Sequence, residues 1–201
     1  CYFRLGDVER AKTYLQRARD AHERYGDQDG RAATLLASAE VFVESKEDAA
    51  AEALIADAAA LSAAMGNAYD AVHEKIVRAV MSRKKGDSGS AVMHAFEARQ
   101  VAEAQAYVAF HFYAMAIEAA ARVDIGEQHT GILLATTAMG ALETIQGSEY
   151  GLETRALCCG ALATAGSPQT ADLQRRAGAY ARELCDLIRD PHLRHGFATR
   201  P

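Results

Sequence analysis

The chain has 201 residues, 50% hydrophobic and 24% charged, with 15 Gly, 3 Pro and no Trp. A net charge of -5 with scattered Lys and Arg argues against nucleic acid as a direct partner. The sequence contains no run of about twenty apolar residues to span a membrane, and its four cysteines, Cys1, Cys158, Cys159 and Cys185, are too sparse for a secreted disulfide scaffold.

Abundant alanine and few β-branched runs predict an all-α chain. Residues 1–5 read as the last turn of a helix. The sequence begins with Cys rather than Met and carries no signal-peptide pattern, so it reads as a piece of a longer, cytoplasmic protein. Helices are then predicted at about 8–25, 29–45, 47–65 and 68–85, with the next beginning near Asp87. From His94 to Val123 there is no Gly, Pro, Asn or Asp, so local signals place no break there. The spacing of the other breaks puts it near Ala104–Tyr107. Further helices are predicted at about 128–145, 149–165 and 169–189, the last pair split by Gly166-Ser167-Pro168. Asp190-Pro191 is expected to end the regular structure, leaving residues 190–201 as a tail.

One template explains this order. In Lys46 to Met65 the residues Ala51, Leu54, Ile55, Ala58, Leu61, Ser62 and Met65 share a helix face. Moving the numbering by forty recovers the pattern four more times. Two columns seven residues apart hold only Ala or Gly: Ala11/Ala18, Ala51/Ala58, Ala91/Ala98, Gly131/Ala138 and Ala171/Gly178. Turn signals keep the same beat at Gly6-Asp7, Gly86-Asp87 and Gly126-Glu127, with Lys46-Glu47 in the slot between. The domain organisation that follows is one helical repeat region over 1–189. It comprises a half-repeat at 1–25 and repeats at about 26–65, 66–105, 106–146 and 147–189. Gln174, Arg175 and Arg182 interrupt the apolar pattern of the last helix, as a terminal, solvent-facing repeat requires.

The paired Ala or Gly residues of each second-in-pair (B) helix, with a small residue twelve positions earlier in each first-in-pair (A) helix (Ala39, Ala79, Ala119, Cys159), resemble the tetratricopeptide repeat family. The resemblance covers residues 1–189. It departs from that family in its forty-residue period, against about thirty-four, and in lacking the closing proline. Longer repeats of this kind are similar to those of large bacterial signalling proteins: serine/threonine kinases, cyclase-associated ATPases and maltose-regulator-type activators. The resemblance implies a right-handed α-solenoid of antiparallel helix pairs. It also implies a scaffold that binds a partner protein or peptide in the concave groove lined by A helices. On that face the residues expected to meet a partner are Leu36, Glu40, Glu44, His73, Ile76, Val80, Arg83, Lys84, Tyr107, Phe110 and Tyr113.

Tyr107, Phe110, His111, Phe112 and Tyr113 wrap around their helix, so they cannot all face one core. They are either a binding hot spot or two neighbouring core layers. An alternative function is a sensory domain that binds a small ligand or signalling peptide and changes shape. A second copy of the chain is a further partner to consider, because residues 1–5 leave the apolar face of helix 8–25 uncovered. No enzyme is expected. The seven histidines form no zinc spacing, and no phosphate loop, nucleophile elbow or Cys–His pattern is present, so neither metal nor cofactor is predicted. Cys159 and Cys185 fall in packing columns, which reads as buried structural cysteine.

Overall fold

A computed structural model describes residues 2–145 and 147–199. Cys1, Gln146, Arg200 and Pro201, and the expectations that fall on them, lie outside the described residues. Among the described residues the fold is all-α. A 3-10 turn at Phe3–Leu5 is followed by α1 (Val8–Tyr25), α2 (Gln28–Glu44), α3 (Asp48–Met65), α4 (Ala68–Lys84) and α5 (Ser88–Ala104). Then come α6 (Val108–Asp124), α7 (Gln128–Ala141), α8 (Gly151–Thr164), α9 (Thr170–Leu187) and α10 (Pro191–Thr199). No described helix is long and apolar enough to cross a membrane.

Side-chain caps start several of these helices. Asp7 accepts from the Arg10 N–H at 3.0 Å, Asp27 from Gly30 at 2.9 Å and Asp87 from Ser90 at 3.0 Å. The break without a local signal falls where the period puts it: α5 ends at Ala104, and Ala106 turns left-handed with φ 56° before α6. Lys46 does the same at φ 60° between α2 and α3. These are the two non-glycine residues in that conformation among those described.

The tail expectation is corrected. Residues 191–199 form α10, because Asp190 Oδ1 accepts from the His192 and Leu193 N–H groups at 2.8 and 3.2 Å. Proline at the first helical position needs no N–H partner. Asp-Pro here starts a helix rather than ending structure.

The chain divides into two compact units, Cys1–Glu74 with Ala181–Pro201, and Lys75–Tyr180. In the first, α2 packs against both α1 and α3, and α10 packs on the 3-10 turn. Its core includes Leu35, Leu36 and Ala58, with Leu54 and Leu61 against them. The turn and α10 approach so closely that a Cβ on Gly6 would lie 2.5 Å from the Gly196 carbonyl oxygen.

In the second unit, α6 packs against α5, α7 and α8. Residues 114–121 of α6 are all buried as a consequence. The core runs through Met115, Ala119, Ala135, Ala138, Cys158 and Leu162.

The small-residue columns account for the closeness of these contacts. Ala39, Ala51, Ala58, Ala79, Ala91, Ala98, Ala119 and Ala138 are all fully buried. A Cβ on Gly131 would stand 2.4 Å from Val123 Cγ2 and 2.8 Å from the Ala119 carbonyl oxygen. In α9 Ala171 is exposed and Leu173 is the one buried residue.

Candidate interaction surfaces

The residues predicted to meet a partner divide between surface and core. In the first unit Leu36 is fully buried and Glu44 exposed. Glu40 and His73 are brought together, Oε1 to Nε2 at 2.9 Å, with the histidine buried. Nearby, Asn67 caps α4 by accepting from the Asp70 N–H at 3.1 Å and donates back to the Asp70 carboxylate at 3.0 Å. Burial pushes the Asp70 carboxyl above its ordinary range, opposed by the neighbouring His73.

In the second unit Ile76 is fully buried and Val80 half-buried. Arg83 pairs with Asp124, Nε to Oδ2 at 2.8 Å, while Lys84 is exposed. Phe110 is 2% exposed and packs on Tyr150, with ring centroids 5.5 Å apart. Tyr113 stacks on the same tyrosine at 4.5 Å, and Tyr107 is half-buried at the start of α6.

Leu36, His73, Ile76 and Phe110 are therefore packing residues in this structure rather than a presented surface. For Leu36 and Phe110 the physical reason is that α2 and α6 are covered from more than one side, so apolar residues on successive faces find neighbours; on α4, His73 is held by Glu40 and Ile76 is fully enclosed. What remains presented from the predicted set is polar or aromatic: Glu40, Glu44, Arg83, Lys84, Tyr107 and Tyr113, with Val80 at their margin.

No described group of three or more His, Cys, Asp or Glu side chains is arranged to hold a metal ion. The cysteines of α8 are buried, and burial pushes the Cys158 thiol up to about 12 and raises Cys159 as well. Both side chains belong to the core of the second unit, where they pack as small apolar groups.

A concavity that the sequence reading passed over lies in the first unit, between the B helices. Its volume is about 530 Å³. Helices α1 and α3 form its walls and α2 its floor. Leu15, Val41, Phe42, Ala53 and Leu54 supply apolar lining, and Ser38 sits at its base. The polar rim is specific. Lys12 donates to Glu47 Oε1 at 2.7 Å and lies 5.3 Å from the centre of the Phe42 ring. Arg19 donates to the amide oxygen of Gln16, and Asp57 stands on the opposite wall.

The second unit builds the matching place differently. Two periods along the chain, α5, α6 and α7 correspond to α1, α2 and α3, so Arg19, Ser38, Phe42 and Glu47 correspond to Arg99, Glu118, Arg122 and Glu127. There Arg99 Nε donates to Glu118 Oε2 at 2.8 Å, and Arg122 Nε donates to Glu118 Oε1, also at 2.8 Å. Arg122 reaches on to Glu127. The Glu118 side chain is only 2% exposed, yet both its oxygens are matched by guanidinium donors. Arg99 also lies over the Phe96 ring, 5.3 Å from its centre. Phe96 holds the column that Gln16 holds in α1.

The sequence carried a signal for this difference. At corresponding positions of the forty-residue period an arginine stands at both 19 and 99, but a serine stands at 38 where 118 is a glutamate. Compared with protein-family models, curated proteins and solved structures, the chain matches none.

Proposed function

We propose that this chain is a protein-interaction scaffold, a right-handed solenoid of antiparallel helix pairs of the tetratricopeptide kind within a larger bacterial signalling or regulatory protein. The observation that supports it is the burial of small residues at forty-residue spacing. Ala39, Ala79 and Ala119 of the A helices and Ala51, Ala91 and Ala58, Ala98, Ala138 of the B helices are fully enclosed. Only small residues let neighbouring helices approach so closely, and stacking such pairs yields a preformed surface that loses little entropy on binding. Of the residues expected to meet a partner, those left at the surface of the A helices are mainly charged or aromatic. Recognition on that face would rest on Glu44, Lys84 and the tyrosines Tyr107 and Tyr113, with buried neighbours holding them in place.

The test is capture of a defined protein from lysate by the immobilised chain, repeated with Glu44→Arg and Lys84→Glu. Both positions are exposed, so each variant should melt within about 1 kcal/mol of the parent, the scale of an exposed ion pair. Loss of one specific protein in either variant supports a partner on this face. Equal capture by parent and variants would remove the A-helix face from the reading.

A further inference from the structure

We propose that the groove between α1 and α3 docks an apolar segment of a partner protein, held by a carboxylate that Arg19 receives. The inference comes from one architectural slot built twice. In the second unit a buried carboxylate, Glu118, stands beside Arg99, and the ion network crosses the slot. In the first unit the arginine is kept at 19 and its acid is replaced by Ser38, whose hydroxyl turns back to the Thr34 carbonyl at 2.7 Å. Arg19 is left donating to the neutral Gln16 amide at the edge of a cavity of about 530 Å³. That volume lies within the roughly 300–1,000 Å³ typical of ligand sites.

The other rim charges narrow the choice of occupant. Lys12 already has Glu47 at 2.7 Å and Glu9 at 4.0 Å, so its charge is matched within the chain. Arg19 is the cation left to recruit an incoming acid on the α1 wall, and Asp57 on the α3 wall favours a neutral or basic edge there. Leu15, Val41, Phe42 and Leu54 require apolar side chains between those edges. A helix with one leucine stripe and a glutamate on its α1-facing flank meets all three demands. An inorganic anion would leave the apolar floor unused.

The experiment is fluorescence anisotropy on the full chain. The probe is a fluorescein-labelled, end-blocked, alanine-based helical peptide bearing two leucines and one central glutamate, beside the same peptide with glutamine. Saturable binding of the glutamate peptide is expected, weakened about 10-fold by the glutamine exchange and by Arg19→Gln, the scale of a lost charged hydrogen bond. Ser38→Glu, which returns the acid that the second unit carries, should also weaken the peptide while melting no lower than Ser38→Gln. Asp57→Asn should not weaken it. Lys84→Glu, on the A-helix face, should leave it unchanged, so failure here and failure of the scaffold reading are distinguishable. No saturable binding, or binding indifferent to both Arg19→Gln and the peptide's glutamate, overturns the proposal. If Ser38→Glu fails to fold, Arg19→Gln decides alone.

Discussion

The α1–α3 region and the α5–α7 region start from the same forty-residue template and finish differently. In the second, the chain completes its own slot with two arginines and a buried glutamate, and Phe96 lies beneath the Arg99 guanidinium. In the first, Ser38, Gln16 and Ala53 stand where the second has Glu118, Phe96 and Leu133, and a cavity remains. On the solenoid reading proposed above, such divergence is tolerated because each pair needs only its small-residue contacts and its apolar face to stack. The remaining positions are free to be spent on stability in one place and on an open surface in another.

The comparison is broken most severely at Glu118. Glu118→Ala leaves two guanidinium groups without their buried acid and should cost about 3–5 kcal/mol. The matching change in the first unit, Ser38→Ala, removes only a hydroxyl bonded to its own helix and should stay within about 0.5 kcal/mol. Urea unfolding of the two variants measures the contrast, and equal losses would mean that the ion network contributes nothing specific.

A second contrast lies in the small-residue column. Ala51 is enclosed with its methyl group, whereas Gly131 faces Val123 and the Ala119 carbonyl too closely to accept one. Gly131→Ala should therefore destabilise by about 1–3 kcal/mol through overpacking, although alanine is the better helix former. Ala51→Gly should cost about 1 kcal/mol for the ordinary helical reason. Thermal melts separate the two if the glycine in α7 proves intolerant.

Among the described residues each unit also holds one non-glycine residue in the left-handed turn, Lys46 and Ala106. Lys46→Gly and Ala106→Gly should each stabilise by about 0.5–1 kcal/mol, since glycine adopts that conformation without the Cβ penalty. A loss in either would show that the turn's side chain makes a compensating contact.

The smallest effect depends on pH. Because burial raises Asp70, its ionised form costs stability in the fold. That cost is absent below the ordinary carboxylate range, grows as pH rises through the raised folded value, and is constant above it. Asp70→Asn keeps an acceptor for Asn67, so it should melt above the parent at pH 7 and converge with it below about pH 3. A difference that persists in acid would assign the effect to something other than ionisation.

Much of the helix order could be read from periodicity and turn chemistry. The break at Ala106 was legible only from the period, because alanine gives no local stop signal and the fold holds it left-handed regardless. The tail is not legible from its opening, because Asp-Pro serves equally as an end and as a capped start, and the choice depends on the N–H groups that follow. Spacing along a helix says which residues share a face but not how many faces the neighbours cover, so Leu36, Ile76 and Phe110 read as presented yet lie inside. The groove at Arg19 could not be found by asking what a motif contains, since its signature is a residue that one repeat lacks.

The packing of α10 on the 3-10 turn has a consequence for the order of events during synthesis. The first unit is assembled from two stretches of chain with the whole of the second unit between them. While the ribosome is still making residues 75–180, the partner of the 3-10 turn does not yet exist. The interposed unit rests on nearer contacts and can condense earlier. The Gly6–Gly196 approach then closes last, across a loop whose entropic cost grows only slowly with its length.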